Sequence, residues 1–130
     1  MTANERTVGA YMDGFRRGDR AAILACLADD VEWEMPGLFH LRGKAAFDAE
    51  IENDAFVGRP DIAVTRLIEA HDVVVAEGRV RAQRKAGGIL HAAFCDVFTF
   101  ENGRIERLVS YVMEVPPDWP NRSDDPGETA

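Results

Sequence analysis

The 130-residue chain is poor in the residues that mark the more easily recognised protein classes. It has only two cysteines, Cys26 and Cys95, far apart in sequence and without metal-ligand spacing. That excludes a disulfide framework and a zinc motif, and both read as small buried apolar side chains. Positive charge is scarce: 15 Lys and Arg stand against 23 Asp and Glu, a net charge of -8. An acidic chain repels phosphate backbones, so nucleic acid and anionic membranes are poor partners. No apolar run is long enough to span a bilayer, and Met1 to Arg6 has no signal core, so a cytoplasmic protein is expected. The three histidines show no metal spacing with carboxylates. Gly-rich phosphate loops, Gly-x-Ser-x-Gly and Cys/His nucleophile arrangements are all missing, and no cofactor is implied.

What is present is a helical start and a long run of strands. Val8, Tyr11, Met12 and Phe15 fall at i, i+3, i+4 and i+7, one helical face that ends at Gly18. Asp19 can cap a second helix carrying Ile23, Leu24 and Leu27, ended by Asp29 and Asp30. Val31, Trp33 and Met35 alternate onto one face of a strand that Pro36-Gly37 stops. A loop through His40 leads to Gly43 and a third helix with Phe47 and Ile51. Gly58 to Asp61 is a turn signal. Strands then follow from Ile62 to Ala70, Val73 to Arg84, Ile89 to Phe100 and Ile105 to Val115, the last three joined by hairpins at Gly87-Gly88 and Asn102-Gly103. Helices followed by hairpin-linked strands make an α+β domain over residues 1–115. Residues 116–130 form an acidic tail with prolines and Trp119, expected to be mobile.

One acidic residue interrupts the most apolar strand. Phe94, Asp96, Phe98 and Phe100 share a face. A bare carboxylate among aromatics is costly, so Asp96 must be paired, hydrogen-bonded or protonated.

The order of elements and motifs resembles the NTF2-like superfamily, especially its SnoaL-like branch. The carrying pieces are Tyr11 through Gly18-Asp19, Leu27 through Trp33, Arg42-Gly43-Lys44, and Asp96 through Ile105. Ketosteroid isomerases, polyketide cyclases and limonene epoxide hydrolases share that fold. The resemblance implies a cone: a strongly curved antiparallel sheet wrapped around three helices. Tyr11 and Asp96 match the isomerases' oxyanion-hole tyrosine and aspartic acid, while Met35 stands where their catalytic base would be. Arg79 can match the epoxide hydrolases' arginine; Arg81 and Ser110 occupy the places of their aspartates.

The resemblance implies a small hydrophobic or polycyclic ligand and proton-transfer chemistry: isomerisation, cyclisation or dehydration. Asp96 and Tyr11 would stabilise charge on a ligand oxygen, and His40, in the loop at the pocket mouth, would carry protons. Phe15, Trp33, Met35, Leu108 and Ser110 would line the pocket. On one strand Glu77, Arg79 and Arg81 alternate with Val74, Ala76, Gly78 and Val80. A solvated face is the ordinary reading of such charges. The fold adds another, with Arg79 in the pocket beside Asp96 or an acidic ligand group, and the small apolar side forming a homodimer. Non-catalytic small-molecule binding and a dimeric interaction domain are the rival functions.

Overall fold

A computed structural model describes residues 1–51 and 55–119, so the tail expected to be mobile lies outside the described residues from position 120 onward. Helix α1, Ala3–Arg17, starts at a capping box in which Thr2 and Glu5 bond each other's backbone. It ends at Gly18, whose φ of 65° strongly favours a residue without a Cβ. Asp19 then caps α2, Arg20–Ala25, by accepting from the Ala22 amide at 3.1 Å. Leu27, expected on this helix, is instead the first residue of strand β1, Leu27–Met35. The reason is local: the Ile105 amide donates to the Cys26 carbonyl at 2.8 Å and hands the chain to the sheet.

The expected loop through His40 is also corrected. Phe39–Arg42 forms a short strand, β2, antiparallel to β1, ahead of α3, Lys44–Ile51. Strand β3 runs Phe56–Ala70, so the turn expected at Gly58 to Asp61 lies inside it. There the pairing with β4, Val73–Arg84, shifts register between Val57 and Asp61. The Gly-Arg-Pro signal marks a bulge, which accepts a positive φ at Gly58 and a proline with no amide to offer the ladder. Strands β5, Ile89–Glu101, and β6, Arg104–Glu114, follow, joined at Asn102 and Gly103 with positive φ at both.

The six strands lie in the order β2-β1-β6-β5-β4-β3 and form a curved, unclosed sheet. Every pair is antiparallel except β1 with β6, which run parallel. The expected α+β class is therefore observed, with one parallel seam in the sheet.

The core fills the space between the sheet's concave face and the helices. Val8, Tyr11 and Met12 of α1 and Phe47 of α3 pack there with Phe98, Ile105 and Leu108. Val74 and Ala76 are fully buried in that same core, and Gly78 belongs to the same strand face. The small apolar side of β4 thus faces this chain's own helices and does not supply the dimer surface expected of it. Its smallness has a cause: a Cβ at Gly78 would stand 2.2 Å from the Ala63 carbonyl oxygen and 2.6 Å from the Phe94 ring.

Candidate functional site

Three residues of α1 and five strands build a cavity of about 150 Å³ with almost wholly apolar walls. Tyr11 and Phe15 reach it from the helix, Trp33 and Met35 from β1, and Asp96 and Ser110 from β5 and β6. Met12, Ile62, Val80, Phe94 and Val112 also line it; none of them was expected as pocket lining, and Val80 was expected on the dimer surface. Period-two counting outward from Asp96 and Ser110 reaches Phe94 and Val112, so the signal for those two was present.

Asp96 is only 8% exposed, and Ser110, its cross-strand partner, 4%. Burial pushes the Asp96 carboxyl from 3.8 up to about 7, with Ser110 hydrogen bonding to the ionised form in partial opposition. Trp33 settles the direction of that bond. Its Nε1 donates to Ser110 Oγ at 3.0 Å, and indole has no acceptor to offer. Ser110 therefore accepts from Trp33 and keeps its own proton for Asp96. Trp33 is itself fixed by stacking on Phe47, with ring centroids 4.3 Å apart.

Tyr11 is fully enclosed by aromatic edges: Phe15 at 5.1 Å, Phe98 at 5.3 Å and Phe47 at 6.3 Å. Burial first, and then the nearby Asp96 carboxyl, push its hydroxyl well above the ordinary tyrosine value. Tyr11 is accordingly a permanent proton donor, whereas Asp96 changes charge near neutrality.

The structure does not bring three expected residues to this cavity. His40 lies on the opposite, convex face of the sheet, where its Nε2 meets Glu32 Oε2 at 2.9 Å. That bond is the main reason the Glu32 carboxyl is held below its usual range. A one-residue change of register decides the matter: Phe39 and Leu41 pair with Met35 and Trp33 and take the inner side. Arg79 is exposed and projects from the face opposite Ala76 and Asp96, so it cannot pair with that carboxyl. Leu108 is fully buried and belongs to the core below the cavity. Among the described residues, no cluster of metal-ligating side chains occurs and no helix is long and apolar enough to cross a membrane.

A cone of sheet around helices, with one buried acid and one buried tyrosine at its apolar centre, defines the general class. The family model described as a SnoaL-like domain matches residues 8–108, and the chain belongs to that family. Among solved structures it is similar to an NTF2-like protein of unknown function from Burkholderia pseudomallei. That match has 29% identity, covers 85% of this chain and 90% of the other, and gives a TM-score of 0.78. A protein from Pseudomonas putida provisionally named a polyketide cyclase is also 29% identical, covering 85% and 91%, with a TM-score of 0.76. TerC, crystallised with polyporic acid, is 25% identical over 84% of this chain and 90% of its own, with a TM-score of 0.75. No curated protein matches the chain.

Proposed function

We propose that the chain binds a small apolar molecule bearing an oxygen, about one ring in size, and moves a proton on it. The observation that carries this reading is the pairing of Asp96 with Tyr11 in a cavity of about 150 Å³. A dry apolar cavity of that volume accommodates a single aromatic ring. A polycycle fits less well unless part of it extends outside. Tyr11 holds the ligand oxygen as a donor that never ionises in the working range. Asp96, with its carboxyl at about 7, is the proton carrier. This assigns Asp96 a share of the work that the isomerases give to a separate base, whose place here is Met35. Enolisation of a ring ketone is the simplest reaction such a pair performs, and it is the first step of isomerisation, cyclisation and dehydration alike. The relatives named for polyketide cyclisation and for polyporic acid support an oxygen-rich organic ligand.

A specific observation favours a second reading, a binder without catalysis. With His40 on the convex face, Asp96 is, among the described residues, the only one in the cavity that changes charge near neutral pH. Reactions that need separate acid and base groups would then stall. The two readings divide on one experiment. In D2O the protein should catalyse α-deuteration of cyclohexanone, with activity rising as Asp96 ionises around pH 7, and Asp96→Asn should abolish it. No catalysed exchange, together with tighter binding of p-cresol than of p-xylene, would leave the binder. Equal affinity for those two isosteres would sink the oxygen-recognition idea itself.

The homodimer is retained as a proposal on different residues. The convex face of the sheet carries the half-buried Val75 and Val97 at its centre, with Tyr111 53% exposed and Met113 70% exposed beside them. Neighbouring exposed apolar side chains of this kind on a sheet face are a common mark of an interface.

A further inference from the structure

A second cavity, of about 480 Å³, opens beside the first, and the two share Ile62 and Val80 as walls. Its character is the reverse of the cone's. Arg16, Arg59, Arg79 and Arg81 line it, with Asp61 and Trp119. Asp61 is already committed to Arg81, at 2.6 Å. Arg16 is anchored through Nε to the Ile62 carbonyl at 2.9 Å, which steers its guanidinium along β3. Among the described residues the side chains of Arg59 and Arg79 have no hydrogen bond or ion pair; Arg79 and Arg81 border the groove from the convex face of the sheet, Arg16 and Arg59 from the helix side. Arg59 passes over Gly18 at the end of α1, where a helix C-terminus attracts a cation but leaves the guanidinium fork open. Among the described residues one carboxylate thus faces four guanidiniums, in a chain whose net charge is -8.

We infer that this groove receives an anionic group, a carboxylate in the first instance, on a ligand whose apolar ring lies in the cone. The inference rests on the ligand site proposed above and names the chemical class of its ligand: an arylalkanoic acid or similar ring with an acidic arm. Orientation follows from the walls. A carboxylate placed in the cone would be desolvated against apolar side chains and set beside Asp96. Turned outward past Ile62, it meets the guanidiniums of Arg16 and Arg59 on the helix side of the sheet, while Arg79 and Arg81, on the other face, add positive potential from a distance. Arginine's planar fork suits a carboxylate's two oxygens, and Trp119 offers an aromatic wall for the arm. The bulge in β3 places Arg59 here, because the register shift between Val57 and Asp61 lets that segment lift from the ladder.

The test uses the full chain with 3-phenylpropanoate and its neutral isostere 3-phenylpropanamide, titrated by NMR. The acid should bind about fivefold more tightly than the amide at low salt, as expected for two solvent-exposed charge contacts. The preference should shrink at about 0.3 M NaCl. Replacing both Arg16 and Arg59 by Gln should bring the affinity for the acid down to that for the amide; Arg59 is exposed and Arg16 half-buried, and a thermal melt verifies that the variant folds. Amide binding with no advantage for the acid would overturn the groove while leaving the cone standing. A preference that survives in the double variant would also overturn it. If neither probe binds, the cone reading falls and the groove reading falls with it.

Discussion

Replacing Asp96 by Asn should stabilise the protein at neutral pH and not at acid pH. The folded carboxyl titrates at about 7 against an ordinary 3.8. Below 3.8 the acid is protonated in both folded and unfolded chains and contributes no pH dependence. Between 3.8 and 7 the unfolded chain loses this proton and the folded one keeps it. Wild-type stability therefore falls as pH rises, by about 1.4 kcal/mol per unit, and levels off above 7. The full excursion is about 4 kcal/mol, a large part of the 5 to 15 kcal/mol that holds a typical domain together. Relaxation around the ionised form reduces that figure toward about 2 kcal/mol; the bond from Ser110 is already contained in the value of about 7. Asparagine carries no charge at any of these pH values. The difference between variant and wild type, measured by urea unfolding at pH 4, 5.5, 7 and 8.5, cancels every other titrating group. It should grow with pH and flatten above 8. A flat difference, or one that shrinks as pH rises, would refute the desolvation argument. It would mean that Asp96 is ionised and well satisfied in the fold.

Ser110→Ala should raise the Asp96 midpoint further above 7, since it deletes the hydrogen bond that steadies the carboxylate; carboxyl carbon NMR reads the shift directly. Gly78→Ala should destabilise the fold by about 2 to 4 kcal/mol, because the new methyl meets backbone at Ala63 and the Phe94 ring together. An unchanged midpoint in urea would show that β3 yields at this point. If the chain pairs through its convex face, Met113→Glu should convert a dimer to a monomer in light scattering at micromolar concentration. A wild-type monomer at high concentration would end the dimer proposal.

The sequence made the buried acid legible because three phenylalanines at even spacing leave Asp96 no other face. It also revealed α1, α3 and the Asn102-Gly103 hairpin, where local chemistry and tertiary packing agree. It did not reveal which face of β4 turns inward. Alternation separates Val74, Ala76 and Gly78 from Glu77 and Arg79, but a period of two is unchanged when the faces are exchanged. The inward choice is made by partners distant in sequence, such as the Phe94 ring that occupies the space above Gly78. His40 was misplaced for a related reason. Four residues are too few to show a period, so Phe39–Arg42 read as loop and its side chains had no assigned face. The arginine groove was invisible because Arg16, Arg59, Arg79 and Arg81 come from three elements, which only the folded sheet brings together.

The chain has just two tryptophans, and they lie at different sites. Trp33 is buried, stacked on Phe47, and bonded through its indole to the serine that serves Asp96. Trp119 is partly exposed against the arginines. The protein thus carries two built-in optical reporters with separable emission, one blue and shielded, one red and open to quenchers. Fluorescence of Trp33 should change as Asp96 loses its proton, and that of Trp119 should respond to whatever fills the groove. Either event is observable in the native molecule without a label, a known substrate or an assay for turnover.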